Sequence, residues 1–297
     1  MEKFGIDISK WQGDFNFPAA LNEGITFAVL KGGGADSGLY VDSKFEDNYY
    51  TSKQHNIPVG AYWFSRATTK EEAVNEAEYF YNNILFGKQF ELPVFIDVEH
   101  RDMLDLGKDE LTDIVDTWCS HLESKGYFVG IYASLYTFLQ YMNDSVLYKY
   151  THWVAQWANE CTYENTDIMG IWQFGGDTNF IRKNTVAGVV CDQNYMYVDF
   201  PSVIKQKGFN GFEKNTAAHP TPVAPITNNP NEIKAGDLVK MNADGVIYGT
   251  NKKYADFVYN TLLYVRELNG SRAVVSTQAE GAITGAVDIK YLTKYKV

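Results

Sequence analysis

The sequence predicts an α/β fold, a modified (β/α) TIM-like barrel followed by a small all-β barrel. Three observations predict it. Through residues 1–210, eight short β-rich runs alternate with helical stretches or long loops; this is the pattern of a mostly parallel sheet, and eight strands favour closure. Residues 211–232 hold four of the eight prolines (Pro220, Pro222, Pro225, Pro230) without helical or strand periodicity, the composition of an extended linker. Residues 233–297 then change to short β-type runs broken by Gly and Asn.

Taken in order, the first strand is FGIDIS at 4–9 and the second TFAVLKGG at 26–33. The helical segment KFEDNYYTSKQHN leads to VGAYWFS at 59–65. TTKEEAVNEAEYFYNNIL then has a Thr cap signal and helical apolar spacing at Ala73, Ala77, Phe80 and Ile84. LPVFIDVE at 92–99 precedes a helix over LTDIVDTWCSHLESKG, and YFVGIYAS at 127–134 and THWVAQWA at 151–158 follow. IMGIWQF at 168–174 and VAGVVCDQ at 186–193 complete the eight. The later helices are short, so an irregular barrel is expected. In the tail, GDLVKM, VIYGT, FVYNTLLYVREL, SRAVVST and GAVDIKYL are the β-type runs, with an Asn269-Gly270 turn between two of them. Tyr248, Tyr254, Phe257, Tyr259 and Tyr264 are candidate ligand contacts there, with core packing expected for most.

Composition narrows the function. The 297 residues carry 26 Lys plus Arg against 37 Asp plus Glu, a net charge of -11. The acidity is local: residues 232–297 hold 9 basic and 7 acidic residues (+2), which leaves 17 and 30 (-13) for the remainder. An acidic chain lacks the basic stripe that phosphates demand and is repelled by anionic lipid, so neither nucleic acid nor membrane insertion is expected. No apolar run reaches the ~18 residues a membrane helix needs. The N-terminus, MEKFGIDISK, puts Asp7 where a secretory signal requires apolar residues, so synthesis in the cytoplasm without a signal peptide is expected. Cys119, Cys161 and Cys191 are odd in number and widely spaced, which suits neither a disulfide framework nor a metal clip. With no GxSxG, no HExxH and five scattered histidines, serine-triad and zinc-hydrolase chemistry have no support, and no cofactor or metal is expected. KGGGADSG (31–38) resembles a phosphate loop but lacks GK[ST], and is expected to be a flexible cleft loop.

Barrel enzymes place their chemistry at the C-terminal ends of the strands. The predicted strands present there, in order, Asp7; Lys31; Tyr62 and Trp63; Asp97 and Glu99; Tyr132; Gln156 and Trp157; Gln173; and Asp192. Asp97 and Glu99 stand at i and i+2 after a continuous apolar run, on one face and ~6.5–7 Å apart at the backbone. Burial and mutual repulsion raise such carboxyls and leave one protonated near neutral pH, the condition for a general acid in glycosidic cleavage; other carboxylates stay ionised to stabilise an oxocarbenium-like centre. Two alternatives stay open: an acid past a strand also caps helices, and carboxylate clusters also bind Mg or Ca ions. Lys31, Tyr62, Trp63, Tyr132, Trp157 and Gln173 are the candidate substrate contacts, with the aromatic rings as sugar-stacking planes.

GIDISKWQG, PVFIDVE, YAS, AQW, IWQF and CDQNY, in this order over residues 3–205, together resemble the family 25 glycoside hydrolases, the N-acetylmuramidases or lysozymes. The resemblance implies a modified β/α barrel that cleaves the β-1,4 bond between N-acetylmuramic acid and N-acetylglucosamine. It implies Glu99 as general acid and Asp97 as the partner that orients or stabilises the substrate, with Asp7 and Asp192 completing an acidic floor. A Lys-Ala-Thr-Glu-Gly-like loop of many members is replaced by Lys31-Gly32-Gly33-Gly34, which is expected to leave that side of the cleft more open. The tail resembles bacterial SH3-like wall-binding domains, and the whole resembles a bacteriophage endolysin, acting on the cell wall after release. The partners implied are bacterial peptidoglycan for the barrel and a wall polymer or peptide for the tail. A non-catalytic glycan-binding protein, a host autolysin and a chitinase-like hydrolase are the alternatives.

Overall fold

Continuous apolar runs become strands because both faces of a barrel wall are covered. The computed structural model describes residues 2–143, 147–213, 233–255, 258–259, 261–277 and 283–294. The strands of the first module are β1 (Lys3–Ile8), β2 (Phe27–Gly34), β3 (Tyr40–Val41), β4 (Val59–Phe64), β5 (Val94–Asp97), β6 (Val129–Ser134), β7 (Thr151–Ala155), β8 (Met169–Gly175), β9 (Thr185–Val186), β10 (Val189–Val190) and β11 (Asp192–Met196). Parallel pairing runs from β1 through β2, β4, β5, β6 and β7 to β8. The barrel closes through β11, which runs antiparallel to both β8 and β1.

Two expectations are corrected. The run 186–193 is not a single strand. Ala187 (φ 53°) and Gly188 (φ 79°) form a two-residue turn in the left-handed region, which folds β9 back onto β10, and the barrel strand begins at Asp192 instead of ending there. Residues 31–34 are no flexible loop either. They finish β2 and are largely buried, because a Cβ on Gly33 would lie 2.0 Å from the Tyr40 carbonyl oxygen, and one on Gly34 would lie 2.9 Å from the Phe64 Cβ. The glycines let β3 and the end of β4 press against β2, so the space is filled, not open.

The helices are α1 (Phe17–Asn22), α2 (Phe45–Gln54), α3 (Lys70–Phe80), α4 (Arg101–Leu104), α5 (Lys108–Ser124), α6 (Leu135–Tyr141) and α7 (Phe200–Lys207). Thr69 caps α3 by accepting from the Glu72 N–H, and Ala73, Ala77 and Phe80 form its buried stripe. That stripe meets α5 where Phe80 stacks on Trp118, ring centres 5.8 Å apart. Strand alternation separates two cores. Ile6, Ile8, Leu30, Trp63 and Ile96 point outward to the helices. Phe27, Val29, Phe95, Trp153, Ile171 and Met196 fill the barrel interior, and Phe200 and Ile204 of α7 join them. Among the described residues no helix is long and apolar enough to cross a membrane.

The chain divides into two compact units near residue 216. Most of the expected linker, residues 214–232, lies outside the described residues, as does Phe257. The second unit holds β12 (Leu238–Met241), β13 (Leu262–Asn269), β14 (Arg272–Ser276), β15 (Gly285–Asp288) and β16 (Leu292–Lys294), an antiparallel sheet in the order β15-β14-β13-β12-β16. Gly270 (φ 58°) makes the expected turn between β13 and β14. VIYGT does not form a strand and contributes only an isolated bridge from Ile247 to Val287. Tyr254 and Tyr259 pack against the small core with their hydroxyls donated to the Ala286 and Gly245 carbonyls.

Candidate active site

The outward direction of Ile6, Ile8, Ile96 and Val98 turns the residues between and beside them inward. Asp7, one residue before the end of β1, and Asp97, the last of β5, therefore face the barrel axis, and Glu99, two residues past Asp97, lies exposed at the mouth above it. Asp192 reaches the same end by the opposite route: as the first residue of an antiparallel strand, it sits directly across from Asp7 in the β1–β11 ladder.

Asp7 is buried, and its Oδ2 accepts from Asn194 Nδ2 (2.8 Å) and Gln173 Nε2 (3.0 Å). Burial pushes its carboxyl up to about 6, held there by those two donors against the added repulsion of Glu99. Asp97 is 3% exposed, and its Oδ1 has no hydrogen-bond partner among the described residues. Burial and then Glu99 hold its carboxyl well above the usual carboxylate range, with Lys31 opposing. The protein walls around Glu99 still desolvate it enough to raise its carboxyl, although solvent reaches it; Lys31 and His100 oppose the rise. Burial, Asp7 and Glu99 push Asp192 up to about 8. The charge of Glu99 thus acts on all three other acids, and the four titrate as one cluster. Among the described residues no three His, Cys, Asp or Glu side chains are grouped to hold a metal ion.

Gln173 connects acids to aromatics. It is buried, and while its Nε2 donates to Asp7, its Oε1 accepts from the Tyr132 hydroxyl (3.0 Å) and from Trp157 Nε1 (3.0 Å). Trp157 is 43% exposed and presents an indole face at the cleft. Tyr62 and Tyr132 both lean on the buried Trp153, at 5.9 and 4.5 Å between ring centres. Lys31 places its ammonium 4.7 Å over Phe64 and 5.8 Å over Tyr62. Arg66 ties the rim together: it pairs with Asp102 and donates to the Asp36 carbonyl (3.2 Å), joining the segments after β2, β4 and β5.

Trp63 is not a substrate contact. Next to inward-facing Tyr62 it must point outward; it is fully buried against Tyr79 and Phe80, with its Nε1 donated to Glu76 Oε2 (2.9 Å). Gln156 likewise turns away, exchanging hydrogen bonds with Thr162. Sequence reasoning missed Asn194, which donates to Asp7 while its Oδ1 accepts from Trp153 Nε1 (2.7 Å). The available signal was strand parity: Asn194 stands two residues from Asp192 and so shares its face.

A closed barrel with acids gathered at one end of its strands and aromatic planes beside them suits glycoside hydrolysis. Residues 6–181 match the glycosyl hydrolases family 25, and the chain belongs to that family. It is 30% identical over 157 residues to the autolytic lysozyme of Clostridium acetobutylicum, covering 52% of this chain and 45% of that one. The chain spans less than half the length of the curated relatives it matches. Among solved structures, the CTP1L endolysin superposes with a TM-score of 0.58 at 22% identity, over 69% of this chain and 70% of that one. The modular autolysin LytC of Streptococcus pneumoniae, solved in complex with a synthetic peptidoglycan ligand, gives 0.57 at 19% identity over 66% and 47%.

Proposed function

We propose that the protein is a peptidoglycan hydrolase, an N-acetylmuramidase that cleaves the β-1,4 bond between N-acetylmuramic acid and N-acetylglucosamine and so lyses Gram-positive walls. The observation that carries this reading is the four-acid cluster at one end of the barrel, in which Glu99 raises each of the others. Glu99, at the mouth with a raised carboxyl, serves as the general acid and donates its proton to the glycosidic oxygen as the bond breaks. Asp97, buried beneath it, orients the reacting sugar. Asp7 is mostly ionised at neutral pH and supplies negative charge to the oxocarbenium-like centre. Asp192 completes the floor. Trp157, Tyr62, Tyr132, Gln173 and Lys31 line the sugar subsites.

The second unit is proposed as an SH3-like module that binds a wall polymer or peptide, so that residues 1–210, 211–232 and 233–297 act as catalyst, linker and anchor. This organisation is that of an endolysin made in the cytoplasm and acting on the wall after release. Reducing-end analysis of digested peptidoglycan tests the reaction. New reducing ends on N-acetylmuramic acid are expected; new ends on N-acetylglucosamine, or turnover of chitin alone, would overturn it.

A further inference from the structure

We propose that Trp11, Lys10 and Tyr40 form a distal subsite that takes the anionic, peptide-bearing part of the glycan strand beyond the scissile bond. The inference rests on the muramidase reading. Trp11 is 81% exposed, more than any other large apolar side chain described, and sits immediately after β1, at the barrel end that carries Asp7. The turn that holds it is tied on every side. Ser9 Oγ accepts from the Trp11 N–H (3.2 Å), Gln12 Oε1 accepts from the Ser9 N–H (2.9 Å), and Gln12 Nε2 donates to the Val190 carbonyl (3.3 Å). The Lys10 N–H donates to the buried carboxylate of Asp42 (3.1 Å). A solvated indole fixed on a rigid turn serves no core, and it is preorganised to stack against a pyranose face.

The chemistry continues unbroken into the cleft. The Lys10 ammonium stands 5.3 Å over Trp11 and 5.8 Å over Tyr40. Tyr40 pairs with Gly34 at the end of β2, where a Cβ on Gly34 would touch both the Tyr40 hydroxyl and Phe64. Phe64 in turn carries Lys31, whose charge acts on Asp97 and Glu99. Rings and ammonium groups therefore lead from the rim towards the acids, with the Asp36 carboxylate accepting from the Tyr40 hydroxyl between them. No carboxylate side chain pairs with the Lys10 ammonium among the described residues, so in a module of net charge -13 it offers a rim cation to the peptide carboxylates of the proposed strand.

The test compares the full chain with its Trp11→Ala and Lys10→Ala variants on three substrates: a short oligosaccharide, a long peptide-free strand and a long peptide-bearing strand. Trp11→Ala is expected to cut kcat/KM on both long strands about tenfold more than on the short one, the loss residing in KM. Lys10→Ala is expected to lose several-fold on the peptide-bearing strand relative to the other two, a loss that fades with added salt. Equal losses on all three substrates, or none on the long strands, would overturn the subsite. If the unaltered chain turned over none of them, the muramidase reading would fail by itself. Calorimetric titration with the same strands would then decide the subsite separately: weaker binding by Trp11→Ala supports it, and unchanged binding overturns it.

Discussion

Asp7 keeps its charge because Asn194 and Gln173 both donate to one of its oxygens. Asn194→Ala removes one donor and leaves Trp153 Nε1 buried without its acceptor. The expected outcome is a stability loss of ~1–3 kcal/mol in urea unfolding and an upward shift of the acid limb of the pH–rate profile, since the lost bond favoured the ionised form. Glu99→Gln keeps the shape and removes the proton, so turnover should fall by about 10²–10⁴ while circular dichroism is unchanged. Asp192 gives a sign that can be checked. Its carboxyl moves from 3.8 to about 8 on folding. Between those values the folded state binds more protons than the unfolded one, so stability falls as pH rises from about 4 to 8. Asp192→Asn should therefore raise Tm at pH 8 and leave it near the unaltered value at pH 4. The acids were legible in the sequence because each is a charge beside an apolar run. The amides that hold Asp7 were not, because Asn194 is 187 residues away and only the fold brings the two together.

At the scale of elements, β2 depends on having no side chain where β3 crosses it. Gly33→Ala must displace the Tyr40 carbonyl, a backbone atom that cannot swing aside, and is expected to lower the urea midpoint by an amount equivalent to ~1–3 kcal/mol. Strand positions were readable from apolar runs bounded by Gly and Pro. Strand direction was not: VAGVV is as apolar as a barrel strand, and only the positive φ of Ala187 and Gly188 reverses it. Trp63 shows a different loss. Its position beside Tyr62 was read correctly but its parity was not, although adjacent strand residues must face opposite ways.

The two units carry separate cores and separate charge. Residues 1–213 alone should retain turnover on soluble glycan and lose about 10²-fold or more in apparent affinity for intact walls, measured by pelleting, because the wall contact proposed for the second unit would raise local concentration. A net charge of -11 would not draw the protein to the anionic Gram-positive wall proposed as its substrate. The pairing of Asp7 with Asp192 has one more consequence. The first and last strands of the barrel meet at the seam beside the proposed catalytic acids, so a chain still emerging from the ribosome has neither a closed barrel nor all four acids until β11 is made. A truncated product that stops short of that strand is therefore expected to show no turnover of peptidoglycan.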